Sequence, residues 1–165
     1  MTDPEITIIV PVKDEADNIL PQIQEIRQAM LSVDKPYEIL YIDDGSTDGT
    51  WQALLAAQAE APELRLIRFD RNHGQSAATD AGIRHARGAI LATLDGDRQN
   101  VPADIPKALE KIGEADMVCG YRAKRSDSAW RKFQSRIGNG VRNWLTGDTI
   151  IDTGCSLKVF RRECF

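Results

Sequence analysis

The chain has 165 residues, 42% of them apolar and 28% charged, with a formal net charge of −4, which suits one globular domain with its own core and excludes a low-complexity or fibrous chain. No window approaches the roughly 20 consecutive apolar residues of a membrane span. Three widely spaced cysteines, Cys119, Cys155 and Cys164, match neither a disulfide framework nor a metal-binding pattern, so reduced thiols are expected.

In chain order, the opening MTDPEITIIVPVKDE has an acidic start and no basic flank, unlike a secretory leader, and a cytosolic context is expected. ITIIVPV (6 to 12) predicts a strand buried on both faces. DNILPQIQEIRQAML (17 to 31) predicts a helix, with Pro21 tolerated in its first turn. YEILYID (37 to 43) predicts a strand, and STDGTWQALLAAQAEA (46 to 61) a helix capped by Ser46 or Thr47. The same alternation continues through LRLIRF (64 to 69), GQSAATDAGIRHA (74 to 86), AILATL (89 to 94), ADIPKALEKIG (103 to 113) and DMVCGY (116 to 121). Strand and helix alternate throughout, which predicts an α/β fold: an open, mostly parallel sheet with helices on both faces.

Beyond it, SAWRKFQSRIGNGVRNWLTG (128 to 147) sets Trp130, Phe133, Ile137, Val141 and Trp144 at helical spacing opposite basic residues. Such a helix either docks on the domain or lies on a membrane surface. Arg131 and Ser135, four apart, share a face and are able to grip a phosphate together. Residues 1 to 120 carry 11 Lys and Arg against 21 Asp and Glu, whereas residues 121 to 165 carry 10 against 4. An acidic body thus precedes a basic end suited to phosphate groups or an anionic membrane.

Ligands of open α/β sheets bind outside the carboxyl ends of the strands. Each predicted strand ends there in a polar loop: VPVKDE, IDDGSTDGT, FDRNHGQS, LDGDRQN and GYRAKR. In LDGDRQN, Asp95 and Asp97 are two residues apart and project the same way if the strand geometry continues. Two converging carboxylates suit a hard cation, Mg²⁺ or Mn²⁺, that completes its shell with water and substrate phosphates. Gln99 has the same parity and offers a third oxygen, while an ordinary Asp-Gly turn explains the triplet equally well in isolation. In IDDGSTDGT, Asp43 or Asp44 is placed to accept hydrogen bonds from a base or ribose. Gly74, Ser76, Ala77 and Ala78 open a helix where free N–H groups favour anions. His73 either meets phosphate or only orders its loop.

Taken together, VPVKDEADNI, YIDDGSTDGT, RNHGQSAATDAG, LDGDRQNVPADIP and GCSLKVFRRE resemble the family 2 glycosyltransferases of the GT-A fold. Within them the resemblance is to the polyprenol-phosphate glycosyltransferases typified by dolichol-phosphate mannose synthase, and it runs from about residue 5 to 165. It implies one GT-A domain over residues 1 to 165 and an inverting transfer from a GDP- or UDP-sugar, with Mn²⁺ or Mg²⁺ across the diphosphate. By position it assigns Pro11, Lys13, Glu15, Asp43 and Asp44 to the nucleotide pocket, Asp95 and Asp97 to the metal, Gly96 to the nucleotide sugar, and Gln99 to the metal as an additional ligand. Arg122 would meet diphosphate or acceptor phosphate, Arg131 and Ser135 the acceptor phosphate, and Asp152 the donor or acceptor in a catalytic role. The implied acceptor is a polyprenyl phosphate at the inner face of the cell membrane, with peripheral membrane contact, no nucleic-acid partner and room for self-association. Relatives of this kind continue with another piece of sheet and acceptor-binding segments, so a domain incomplete at its C-terminal end is expected. Two other readings stay open: transfer to a glycan or glycolipid hydroxyl, which needs a general base, and a nucleotide-sugar-binding fragment inactive on its own.

Overall fold

A computed structural model describes residues 3 to 120 and 155 to 165. Six strands and four α-helices follow in the order β1 (Ile6–Val12), α1 (Ala16–Met30), β2 (Tyr37–Asp43), α2 (Thr50–Gln58), β3 (Leu64–Arg68), α3 (Gln75–His85), β4 (Ile90–Thr93), α4 (Ile105–Lys111), β5 (Met117–Cys119) and β6 (Lys158–Arg161). They form one sheet in the order β3-β2-β1-β4-β6-β5. β3, β2, β1 and β4 run parallel; β6 is antiparallel to both β4 and β5. The α/β architecture with helices on both faces thus matches the expectation from the sequence. The antiparallel β6, inserted between β4 and β5, does not follow from it.

β1 shows why its residues form a central strand. Ile6, Ile8, Val10 and Val12 face one side, where they pack with Ile19, Ile23, Ile26 and Met30 of α1 and Leu54 of α2. Ile9 faces the other side, with Leu40, Ile42, Ala78 of α3 and Phe160 of β6. Strand alternation splits the core into two layers in this way. α3 lies close to the sheet because Gly82 has no side chain: a Cβ there would sit 2.4 Å from Ile9 Cγ2.

Two helix starts differ from the sequence reading. α2 begins at Thr50, and Asp48 accepts the Thr50 N–H at 2.8 Å, while Ser46 and Thr47 turn to residue 14 instead. α1 begins at Ala16, so Pro21 falls in the second turn and removes one helical hydrogen bond rather than sitting where no N–H is needed.

The chain moves from β1 outward through β2 to β3, then crosses back to β4 on the other side of β1. That reversal opens a crevice above the carboxyl ends of β1 and β4, where open α/β sheets bind ligands.

Candidate functional site

At that crevice lies a cleft of about 380 Å³. Pro11, Lys13 and Glu15 come to it from the end of β1, Asp44 from the end of β2, and Asp95, Gly96 and Asp97 from the loop after β4. Seven residues singled out from the sequence therefore share one cavity, although they are spread over more than half of the chain.

Asp95 and Asp97 reach it differently from the strand argument. β4 ends at Thr93, and the residues after it form a turn, so turn geometry rather than strand alternation brings both to the cleft. Asp95 is held from two sides: its carbonyl accepts the Gln22 side-chain N–H at 2.6 Å, and its Oδ1 accepts the Gln75 side-chain N–H at 2.7 Å. Asp97 Oδ1 accepts the Gln99 backbone N–H at 3.0 Å, and Arg98 adopts a left-handed φ of 58°. Gly96 is required by close approach, since a Cβ there would lie 2.5 Å from Val12 Cγ1 and 3.2 Å from the Pro11 carbonyl. Gln99 is exposed and does not line the cleft.

The two aspartates ending β2 separate. Asp43 is fully buried below the cleft and does not line it. Its Oδ1 accepts the Ser46 N–H at 2.9 Å, and its Oδ2 lies 3.3 Å from Arg68 Nε without a well-aligned hydrogen bond. Strand alternation turns Asp43 away from the side Asp44 takes. Asp44 accepts the backbone N–H groups of His73, at 2.7 Å, and Gly74, at 2.9 Å. Its carboxylate thus occupies the amides just ahead of α3 that the sequence suggested for an anion. His73 stays outside the cleft, with Nε2 2.9 Å from Asp70 Oδ1 and its ring edge-on to Phe69. Of its two readings, the geometry favours ordering of the loop.

Three contributors were not singled out from sequence. Asp14, at φ 56°, pairs with Lys13 Nζ at 2.5 Å and accepts the Thr47 N–H at 2.7 Å. The Lys13 hydrogen bond is the main reason its carboxyl is lowered to about 2. Gln75 enters the cleft from the first turn of α3, and Gln22 supports it from beneath. An acid directly after Lys13 was the available signal for Asp14; a glutamine inside an apolar helix stripe signals nothing until its partner is seen.

The loop after β4 is also tied to β6. Thr93 Oγ1 donates to the Ser156 carbonyl at 2.6 Å, and Asn100 hydrogen-bonds Ser156 Oγ. The DTGCS segment thereby ends beside the acidic turn. Arg122, Arg131, Ser135 and Asp152 lie outside the described residues, as does the basic amphipathic stretch from 128 to 147.

Among the described residues no three Asp, Glu, His or Cys side chains converge to hold an ion. The cleft's share in holding one would be two carboxylates, which suits a hard cation that takes its remaining ligands from phosphate and water.

The family model described as glycosyl transferase family 2 matches residues 7–165. The chain is 38% identical over 161 residues to a dodecaprenyl-phosphate galacturonate synthase of Rhizobium johnstonii, covering 95% of this chain and 48% of that protein. It is 37% identical to an undecaprenyl-phosphate 4-deoxy-4-formamido-L-arabinose transferase of Klebsiella pneumoniae, covering 96% and 49%. The chain thus spans about half the length of these relatives. Among solved structures, a mannosyltransferase of Pyrobaculum calidifontis in complex with GDP-Man and Mn²⁺ superposes with a TM-score of 0.68 at 25% identity, covering 99% of this chain and 46% of that one. A glucosyl-3-phosphoglycerate synthase of Mycobacterium tuberculosis superposes with a TM-score of 0.76 at 18% identity, covering 97% and 57%, a likeness of fold.

Proposed function

The chain belongs to glycosyl transferase family 2, and from that premise we propose that its cleft holds a nucleotide-diphosphate sugar through a divalent cation for transfer of the sugar to a polyprenyl phosphate. The observation that carries the reading is the convergence of Lys13, Glu15 and Asp44 with Asp95 and Asp97 in one cleft at the switch point of the sheet. Support for the acceptor comes from the two relatives, whose names specify dodecaprenyl and undecaprenyl phosphate. Support for Mn²⁺ comes from the mannosyltransferase complex and from the oxygen-only character of the acidic turn.

Asp95 and Asp97 would hold the cation; Gln99, the added ligand that the resemblance implies, would have to turn in from its exposed position outside the cleft. The cation supplies neutralisation of the charge that develops on the leaving diphosphate. Lys13 adds a positive side chain at the mouth, 35% exposed and already paired with Asp14. Gly96, which the resemblance sets beside the nucleotide sugar, lets the main chain run close against β1. In the reaction the anomeric C–O bond to the nucleoside diphosphate breaks, its electron pair leaves with the diphosphate, and an acceptor phosphate oxygen bonds the same carbon from the opposite face. That path inverts the anomeric centre. A phosphate acceptor is already anionic near neutral pH and needs no general base. Arg122, Arg131 and Ser135 are the proposed acceptor-side residues, and the resemblance assigns Asp152 a catalytic role toward donor or acceptor. No helix among the described residues is long and apolar enough to cross a membrane, and contact at the inner membrane face is assigned to the basic end of the chain.

The second reading is donor binding without turnover by these 165 residues. Release of UDP or GDP separates the two. Release from a nucleotide sugar that requires both Mn²⁺ and a polyprenyl phosphate supports transfer, and donor binding with no release under those conditions supports the binding module.

A further inference from the structure

Gln22 is an anomaly in its helix. α1 buries Ile19, Ile23, Ile26 and Met30 along one stripe, and Gln22 lies in the same stripe at 1% exposure. A buried primary amide is costly unless its polar atoms are matched. Both are: Tyr41, itself fully buried on β2, donates its O–H to Gln22 Oε1 at 3.0 Å, and Gln22 Nε2 donates to the Asp95 carbonyl at 2.6 Å. Burial also pushes the Tyr41 phenol above its ordinary range, so it remains a neutral donor. The pair fixes the amide's orientation, because the opposite flip would set Gln22 oxygen against carbonyl oxygen. Asp95 is half-buried and lies beyond the last β4 residue, and its carbonyl takes the Gln22 amide as its partner there. One turn further along α1, Glu25 pairs with Arg98 at 2.5 Å, and Arg98 is the residue whose left-handed φ closes the acidic turn.

We propose that α1 is the positioning element of the acidic turn: Gln22, oriented by Tyr41, sets the main chain of Asp95, and Glu25 secures Arg98, so the carboxylates of Asp95 and Asp97 are in place before any ligand arrives. The proposal deepens the functional reading above and rests on it only for the consequence in metal binding. Gln22, Tyr41 and Glu25 are positioning residues; none lines the donor cleft. Preorganised ligands lose less freedom on binding, and so the effect belongs to ion affinity rather than to nucleotide contacts.

The test compares Gln22→Met, which keeps length and helix propensity but removes the amide, with Tyr41→Phe, Glu25→Gln and the control Arg27→Gln on the same helix. In the ion-free protein, backbone amide resonances of Gly96 to Gln99 are expected to move in Gln22→Met and Tyr41→Phe, those of Arg98 and Gln99 to move in Glu25→Gln, and all of them to stay in place in Arg27→Gln. Mn²⁺ titrated in the presence of UDP or GDP is expected to bind about tenfold more weakly to Gln22→Met, about 1.4 kcal/mol. Metal-free nucleotide binding should be unchanged. Unmoved resonances in both Gln22→Met and Tyr41→Phe overturn the proposal, as does equal loss of metal-free nucleotide binding. Absence of Mn²⁺-dependent nucleotide binding in the unsubstituted protein counts against the functional reading alone, since the resonance comparison still decides the role of α1. If Gln22→Met does not fold, Tyr41→Phe provides the same two readouts.

Discussion

Asp95 has its carbonyl and one carboxylate oxygen engaged by Gln22 and Gln75, whereas Asp97 is exposed and, among the described residues, tied only to the Gln99 amide. Replacing either carboxylate by an amide removes a charged oxygen ligand, and we expect Asp95→Asn and Asp97→Asn each to weaken Mn²⁺-dependent donor binding at least tenfold, measured by calorimetry. Gly96→Ala forces a Cβ to 2.5 Å from Val12 Cγ1 on a stiff β-branched side chain, so a loss of about 1–3 kcal/mol is expected in chemical denaturation. Asp14 makes a prediction about pH. Its folded-state carboxyl is lowered to about 2, chiefly by the Lys13 hydrogen bond, so its contribution is present above the ordinary carboxylate range and is lost as pH falls from about 4 towards 2. The Lys13–Asp14–Thr47 linkage should therefore persist at pH 5 and open near pH 2, with the Thr47 amide resonance as the reporter; Asp14→Asn should abolish that transition. At this scale the sequence was most ambiguous where neighbours look alike. Asp43 and Asp44 are the same residue type at the same strand end, and only alternation across the sheet sends one into the core and the other to the cleft.

Each element carries either the site or the stability of the sheet. β2 holds a buried carboxylate, Glu38, at the end opposite the cleft, where it accepts hydrogen bonds from Thr7, Arg65 and the Arg87 amide. Burial alone would raise its pKa, but those hydrogen bonds together lower it. Glu38→Ala leaves the Thr7 hydroxyl and the Arg87 amide without their acceptor and Arg65 with only the His85 carbonyl, and a loss of about 2–3 kcal/mol is expected with donor affinity unchanged once folded, read by denaturation and calorimetry on the same sample. The parallel strands β1, β2 and β4 were legible because their runs are apolar at most positions, as suits burial on both faces, whereas the edge strand β3 was legible from its Leu and Ile residues despite Arg65 and Arg68. β6 was not, since KVFR is four residues long, half of them basic, and its place between β4 and β5 is decided by pairing with segments far away in the chain. α2 starts later than its polar lead suggests because Ser46 and Thr47 are drawn off to the turn at residue 14, a long-range choice with no local mark.

Over the whole molecule, a single sheet reversal explains why loops from distant stretches meet: the crossover from β3 to β4 sets the acidic turn beside the end of β1. The family, the α/β architecture and the edge that carries the cleft could be read from the order of the loops. What supports the acidic turn from beneath could not, because Gln22, Tyr41 and Gln75 act through contacts between elements and not through any pattern along one. The charge division along the chain, acidic to residue 120 and basic after it, fits the proposed donor binding through a cation and the proposed contact of the basic end with phosphate or membrane. The most direct test of the central claim is calorimetric binding of GDP- and UDP-sugars with and without Mn²⁺, on the unsubstituted protein and on Asp95→Ala and Asp97→Ala. The account predicts binding that Mn²⁺ strengthens and that falls at least tenfold in both variants; donor binding that is indifferent to Mn²⁺, or intact in both variants, would contradict it.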